Sequence, residues 1–357
     1  MGDDSKTIDW NKTRKFLNQI TTDLGAAMLG ALTYIGDRLG IFRALSSGEW
    51  LTSEELSRRT GLSERYLREW LGAMAAAGYV LYEPKERAYM MPAEHAMVLA
   101  NEDSPFFMGG FIQMVVPNVT MAPRVADAFR TGKGVSQSEY PPETFHAMER
   151  SSAGMYRHQL IRKWLPTMPH VVEALGAGAT AADVGCGSGR AAITLAKAFP
   201  NTRVYGYDVH PVSIERARAG AEAAGVSDRV TFEVRDGTRL PEARFDFVST
   251  FDVVHDSADP AALLRSIRRS LKPNGTYLML EMNVSPNVEE NINAKGRMMY
   301  SVSTLYCMTV SLAEGGAGIG AMMGEPKARE LTTEAGFGQF RRLPIDDLFS
   351  ALYEIRP

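Results

Sequence analysis

Cysteine is nearly absent from the chain. Cys186 and Cys307 are the only two in 357 residues, too few for a disulfide framework, so a reducing compartment, the cytoplasm, is expected. A charge excess is also missing: 39 basic against 42 acidic side chains leave a net charge of −3, which gives no general attraction to nucleic acid or to an anionic membrane. Long apolar runs are lacking too. The most apolar stretch, residues 106–121, is interrupted by Gln113, Pro117 and Asn118 and is shorter than a membrane span, and the first ten residues are too acidic and polar for a signal peptide. There is no internal repeat and no low-complexity segment. No His or Cys cluster suggests zinc; Asp252, Asp256 and Glu281 are oxygen ligands that could gather around magnesium at a sheet edge, but their pattern does not single out a metal and none is expected. A glycine-rich stretch at Glu314–Gly320 lacks the Lys-Ser/Thr of a phosphate loop and is expected as a mobile flap. With 45% hydrophobic and 23% charged residues, what remains is an ordinary globular composition, long enough for two domains.

The informative stretch is Ala182-Asp183-Val184-Gly185-Cys186-Gly187-Ser188-Gly189-Arg190, followed by the helical run Ala191–Ala196. A short apolar strand entering three alternating glycines and then a helix brings bare backbone close to a nucleotide-like ligand. The next strand ends in Asp208, 19 residues after Gly189, where a carboxylate can accept both hydroxyls of a ribose; Asp208 could equally cap the helix that begins near Val212. The strand after that ends in Asp236. Asp183, immediately before the glycines, would repel a pyrophosphate and attract a cation such as an amino-acid ammonium group. S-adenosylmethionine (SAM), with ribose and adenine but no phosphate, fits that pattern.

On these residues, 180–282 resembles the core of the class I SAM-dependent methyltransferases. The resemblance implies that Asp183 and the Gly185/Gly187/Gly189 turn lie beside the methionine part, Asp208 on the ribose and Asp236 near the adenine, with Cys186, Val209, Gly237, Phe251 and Asp252 as further cofactor neighbours. The product would be S-adenosylhomocysteine (SAH). It also implies a Rossmann-like α/β sheet of order 3-2-1-4-5-7-6 with strand 7 antiparallel. The alternation of strands at 180–184, 203–207, 229–234, 245–250 and 276–282 with helices at 189–199, 212–224 and 259–271 supports a largely parallel sheet. Lys272–Gly275 reads as a turn, 338–343 and 349–355 read as final strands, and a helix at 327–335 precedes them.

Ahead of this domain, residues 11–45 are helical by spacing, with Phe16, Ile20, Leu24, Met28, Leu32 and Ile35 on one face and small residues Ala26, Ala27, Gly30, Ala31 and Gly36 that invite helix pairing across a dimer. A capped helix at 52–61, a second from Ser63 carrying Tyr66, Leu67, Trp70, Leu71 and Met74 inward, and a hairpin after Gly78 make a winged helix. Its Arg58, Arg59, Arg65 and Arg68 alternate with Glu54, Glu55, Glu64 and Glu69, a solvated mixed surface rather than a phosphate-binding stripe. The module resembles the N-terminal dimerisation module of small-molecule O-methyltransferases. The expected domains are 1–100, a joining and substrate-covering segment 101–165 with helices near 123–130, 143–152 and 155–168, and the SAM domain 166–357.

His255-Asp256, at the end of the fourth strand, resembles the His-Asp pair of those O-methyltransferases, where a neutral imidazole takes a hydroxyl proton; here Ser257 follows where the family usually has Trp. His146, Tyr156, His158 and Tyr300 are pocket candidates. Over its length the chain resembles a group of bacterial winged-helix methyltransferases. The expected function is methyl transfer from SAM to a small organic acceptor, most readily oxygen. Its alternatives are a winged-helix DNA-binding regulator that senses SAM or a metabolite, and a SAM-binding enzyme with a non-methylating reaction.

Overall fold

A computed structural model describes residues 8–357. Its backbone packing divides the chain into two compact units, one ending at Val116 and the other running from Pro117 to Pro357. The 101–165 stretch, expected as one joining piece, is therefore shared: its first part packs with the winged helix and the rest with the larger unit.

In the first unit, α1 (Trp10–Arg38) starts at Asp9, whose carboxylate accepts from the amides of Asn11 and Lys12. Gly40, at φ 70°, breaks the run before α2 (Ile41–Leu45). After β1 (Leu51–Thr52), α3 (Ser53–Thr60) opens on a reciprocal Thr52–Glu55 capping box and stops at the left-handed Gly61. Then come α4 (Glu64–Ala76), β2 (Leu81–Glu83) and β3 (Ala88–Met90), the strands pairing antiparallel in the order β1-β3-β2. Phe42, Leu56, Leu67, Trp70, Leu71 and Met74 form the core. Trp70 lies edge-on to Phe42 at 5.2 Å and donates its indole N–H to the Leu32 carbonyl at 2.8 Å. A Cβ on Gly36 would fall 2.5 Å from Trp70, so this small residue serves contact inside the unit. Tyr66, expected inward, is 82% exposed, because the inward stripe of α4 is already filled by Leu67, Trp70, Leu71 and Met74.

The second unit holds a seven-stranded sheet of order β6-β5-β4-β7-β8-β10-β9, with β4 (Thr180–Val184), β5 (Arg203–Asp208), β6 (Val230–Val234), β7 (Phe245–Phe251), β8 (Leu271–Met282), β9 (Gln339–Arg342) and β10 (Ser350–Arg356). In chain order of this sheet alone that is the expected 3-2-1-4-5-7-6. The β4 to β8 pairs are parallel, and β10 runs antiparallel to both neighbours. Lys272–Gly275 is not a free turn: it bulges within β8, shifting the register against β7 between Phe245 and Phe247. Helices Arg190–Ala198, Pro211–Ala223, Pro260–Ser270 and Gly324–Glu334 follow or cover the strands, and buried side chains fill both sheet faces. The segment before β4 forms helices Ala122–Thr131 and Pro142–Met155, a π-helical stretch Tyr156–Trp164 and helix Pro169–Ala177. The 314–320 stretch, expected as a flap, packs closely: a Cβ on Gly316 would meet Ala258 at 2.6 Å and one on Gly320 would meet Ser303 at 2.4 Å. Among the described residues, no helix is long and apolar enough to cross a membrane.

Candidate active site

The three glycines of the β4 turn do different work. All have positive φ (70°, 52° and 74° for Gly185, Gly187 and Gly189). A Cβ on Gly185 would strike Val253 at 2.5 Å and one on Gly189 would strike Phe232 at 2.4 Å, whereas Gly187 has nothing within 4 Å. Two glycines let the chain pack inward; the third leaves open space above the turn. Gly185 and Cys186 donate their amides to the Tyr207 carbonyl at 2.8 and 3.0 Å, tying the turn to β5. One Asp208 carboxylate oxygen accepts from the Gly187 amide at 2.8 Å and the other from His210 at 2.9 Å, so Asp208 braces the turn while lone pairs on both oxygens remain for ligand hydroxyls. The helix after β5 begins at Pro211 with His210 as its cap. Asp183 is 1% exposed and accepts from the Ser249 hydroxyl at 3.2 Å; burial, then Asp208, push its carboxyl up to about 7.

One strand over, the backbone leaves β7 through Asp252, a non-glycine residue at φ 57°. Its amide donates to the Leu280 carbonyl at 3.0 Å, yet its Oδ1 is buried without a hydrogen-bond partner. Burial, then Glu281, raise its carboxyl to about 7. His255 is 1% exposed and stands between two carboxylates: Nδ1 lies 2.5 Å from Glu281 Oε2 and Nε2 lies 3.0 Å from Asp256 Oδ1. Glu281 Oε1 also accepts from the Val254 amide at 3.0 Å, fixing the turn that presents the imidazole. Burial opposes a charge on His255, but Asp256 and Glu281 outweigh it and hold its pKa well above the usual histidine value. The two carboxylates thus favour the protonated ring over the neutral one. Asp252, Asp256 and Glu281 do converge, with His255 at their centre and ligand-type atoms within 4.8 Å of one another in the Asp252–His255–Glu281 set.

Residues 175–336 match the family model described as a methyltransferase domain, and residues 27–101 match the Rv2258c-like winged HTH domain. The chain pairs a winged-helix domain with a methyltransferase domain. It is 32% identical over 158 residues, 44% of its own length, to 27-O-demethylrifamycin SV methyltransferase of Amycolatopsis mediterranei, and spans 57% of that protein. It is 27% identical to acetylserotonin O-methyltransferase of Mus musculus over 88% of this chain and 82% of that one. The solved structure of mitomycin 7-O-methyltransferase MmcR has the same fold, at TM-score 0.70 and 21% identity over 97% of this chain and 99% of that one.

Around the cleft of the methyltransferase domain, the other candidates separate. Phe251 is buried and packs at a tilt against Tyr156 at 5.0 Å and Trp164 at 6.0 Å. Tyr156 is held un-ionised by burial, then by the neighbouring Asp183 and Asp252. The Cys186 thiol is likewise pushed up by burial, then by Asp183 and Asp208. A Cβ on Gly237 would meet Leu263 at 2.7 Å and Val184 at 2.8 Å, so Gly237 packs beneath the sheet edge. Asp236 is exposed and its carboxylate accepts from the Thr238 amide of its own turn at 2.8 Å; Val209 is exposed beside Asp208. His146, a pocket candidate, is instead on the surface, its Nε2 facing the Arg216 guanidinium at 3.1 Å. His158 has a buried Nε2 without a partner, and Tyr300 lies half-buried in helix Ala294–Val302. Glu281 did not stand out as a partner for His255, since the two are 26 residues apart; the alternating Leu280-Glu281-Met282 at the end of an apolar strand was its only signal. Gln137, linking His210 at 2.5 Å and the Tyr306 hydroxyl at 2.8 Å, had none.

Proposed function

We propose that the protein methylates an oxygen of a small organic acceptor, with His255 as the group that takes the acceptor's proton. The observation that carries this reading is the convergence of the glycine turn, Asp252 and the His255–Asp256–Glu281 cluster on one sheet edge. The fit to SAM rests on the open face of Gly187, the braced Asp208 and the buried Asp183. When bound, SAM supplies a methyl carbon that an acceptor oxygen attacks in line. Phe251, Tyr156 and Trp164 form an aromatic wall that keeps water from this edge. Glu281 holds His255 through Nδ1, leaving Nε2 and Asp256 on the side where an acceptor hydroxyl can give up its proton. Because two carboxylates favour the imidazolium, the neutral form that accepts the proton gains ground, and the reaction speeds up, as pH rises. The segment 117–165 and the wall at 296–324 border the acceptor. The relatives' names, a rifamycin and an acetylserotonin methyltransferase, support a small acceptor.

The winged helix serves a homodimer in this reading, not DNA. Arg59, Arg65 and Arg68 are paired with Glu49, Glu69 and Glu64 at 2.5–2.6 Å, which leaves them little charge for phosphates. The apolar residues Phe16, Leu17, Leu24 and Met28 of α1 are exposed, and an open groove of about 760 Å³ lies between the end of α1 and α4, lined by Leu32, Ile35, Leu39 and Leu67. A second copy would cover both. A reducing cytoplasm suits the two buried free thiols.

The test is transfer of labelled methyl from SAM into fractionated host extract, with Asp208→Ala as the blank. Label in small organic products is expected. Label confined to macromolecules would overturn the acceptor class, and turnover of a metabolite without SAH formation would replace methyl transfer by another reaction.

A further inference from the structure

Within the methyltransferase reading, on which this inference rests, Asp252 has no task in the proton transfer. Its Oδ1 is buried and unpartnered, in a residue held at φ 57°, a conformation that Asp tolerates better than most side chains but that still costs energy. The contrast with Asp183 on the adjacent strand is direct, since that buried carboxyl is satisfied by Ser249. The groups that face Asp252 are Glu281, Asp256, Asp347, the His255 imidazole and the Tyr156 ring. His255 is the one group among them that can carry a positive charge, and both of its nitrogens point at other carboxylates. A buried carboxylate without a donor is expensive. Its position fills a gap in the site: on one side is the cofactor turn, on the other the imidazole that handles the acceptor's proton.

We infer that Asp252 is the counter-charge for the sulfonium of SAM and lets the site distinguish SAM from SAH. Transfer breaks the bond from carbon to sulfur, and the electron pair stays on sulfur. The positive charge there disappears as the acceptor's proton leaves for the protein. Asp252 then faces a neutral thioether and is orphaned again, so the product is held less tightly than the substrate. Before SAM enters, Asp252 is near half-protonation at neutral pH, because its carboxyl is raised to about 7; the incoming cation favours its ionised form.

Calorimetric binding of SAM, SAH and sinefungin, an analogue with an ammonium in place of the methyl-bearing sulfonium, to the wild type and to Asp252→Asn tests this without turnover. The substitution should weaken SAM and sinefungin about tenfold or more, as expected for loss of a charge-assisted contact, and leave SAH within about twofold. Equal weakening of all three would mean that Asp252 meets a part they share, and no weakening would mean that its cation comes with the acceptor; either result overturns the inference. If the variant does not fold, the wild type still decides: its preference for SAM over SAH should grow as pH rises through about 7, and a flat preference sinks the proposal. A wild type that binds neither SAM nor SAH would instead remove the methyltransferase reading itself.

Discussion

If His255 is the base, its neutral form is scarce below its raised pKa, so kcat on an identified acceptor should rise about tenfold per pH unit there and level off above it. Glu281→Gln removes one of the two carboxylates that favour the imidazolium and should move the levelling point to lower pH; His255→Ala should cut kcat by a factor of about 10²–10⁴ with little change in SAM affinity. A pH–rate profile that is flat from pH 6 to 9 would remove His255 as the base. Stability should run the other way, and its sign depends on which state holds protons. Asp183 and Asp252 ionise near 7 in the folded protein against an ordinary 3.8, so the unfolded chain loses these protons first and the apoprotein weakens as pH rises from about 4 to 7. His255, raised above 6.5, adds stability below that value that is lost as pH climbs through its folded pKa. The melting temperature of the apoprotein should therefore fall from pH 5 to pH 9, and Asp252→Asn should raise it by a few degrees near pH 8 by removing an orphaned buried charge.

The β4 turn makes a prediction that separates folding from binding within a single element. Gly185→Ala places a methyl 2.5 Å from Val253 at φ 70°, so both the packing of the turn and the fold should suffer, with loss of about 1–3 kcal/mol of stability. Gly187→Ala has free space around its Cβ and bears only the strain of φ 52°, about 1 kcal/mol, yet it fills the opening above the turn; SAM affinity should drop while the melting temperature barely moves. Unchanged SAM affinity in Gly187→Ala would show that the open face of Gly187 is not where the ligand approaches. The turn was readable in the sequence because its three glycines alternate within five residues, and the parallel strands because each is a short apolar run closed by an acid. The bulge at Lys272–Gly275 was not readable: Pro-Asn-Gly is equally good chemistry for a turn and for an outward kink, and only pairing with Phe245 and Phe247 decides between them. Likewise, the π-helical stretch from Tyr156, which carries the tyrosine to Phe251, has the same local pattern as an α-helix.

At the scale of the whole molecule, long-range pairing was what the sequence concealed. His255 could be found by its place at the end of β7, but Glu281 becomes its partner only because β8 lies beside β7 with Phe251 opposite Leu280. His146, read as a pocket residue, is exposed and faces Arg216, 70 positions away. The face of α1 is the reverse case, legible from spacing and left uncovered in the single chain. Exposed Phe16, Leu17, Leu24 and Met28 form a contiguous apolar stripe on a helix whose only buried residues are Thr33 and Gly36 near its end. Monomers rarely leave such a surface open to water, and burying it against a second copy removes several large side chains from solvent at roughly 25 cal/mol for each Å². Replacing Phe16 and Leu24 together by Asp and Lys should therefore shift the mass measured by light scattering from twice 39.2 kDa to 39.2 kDa while the winged-helix core around Trp70, which neither residue touches, keeps its fold. A wild type already at 39.2 kDa, or a double variant that stays paired, would remove α1 from the interface.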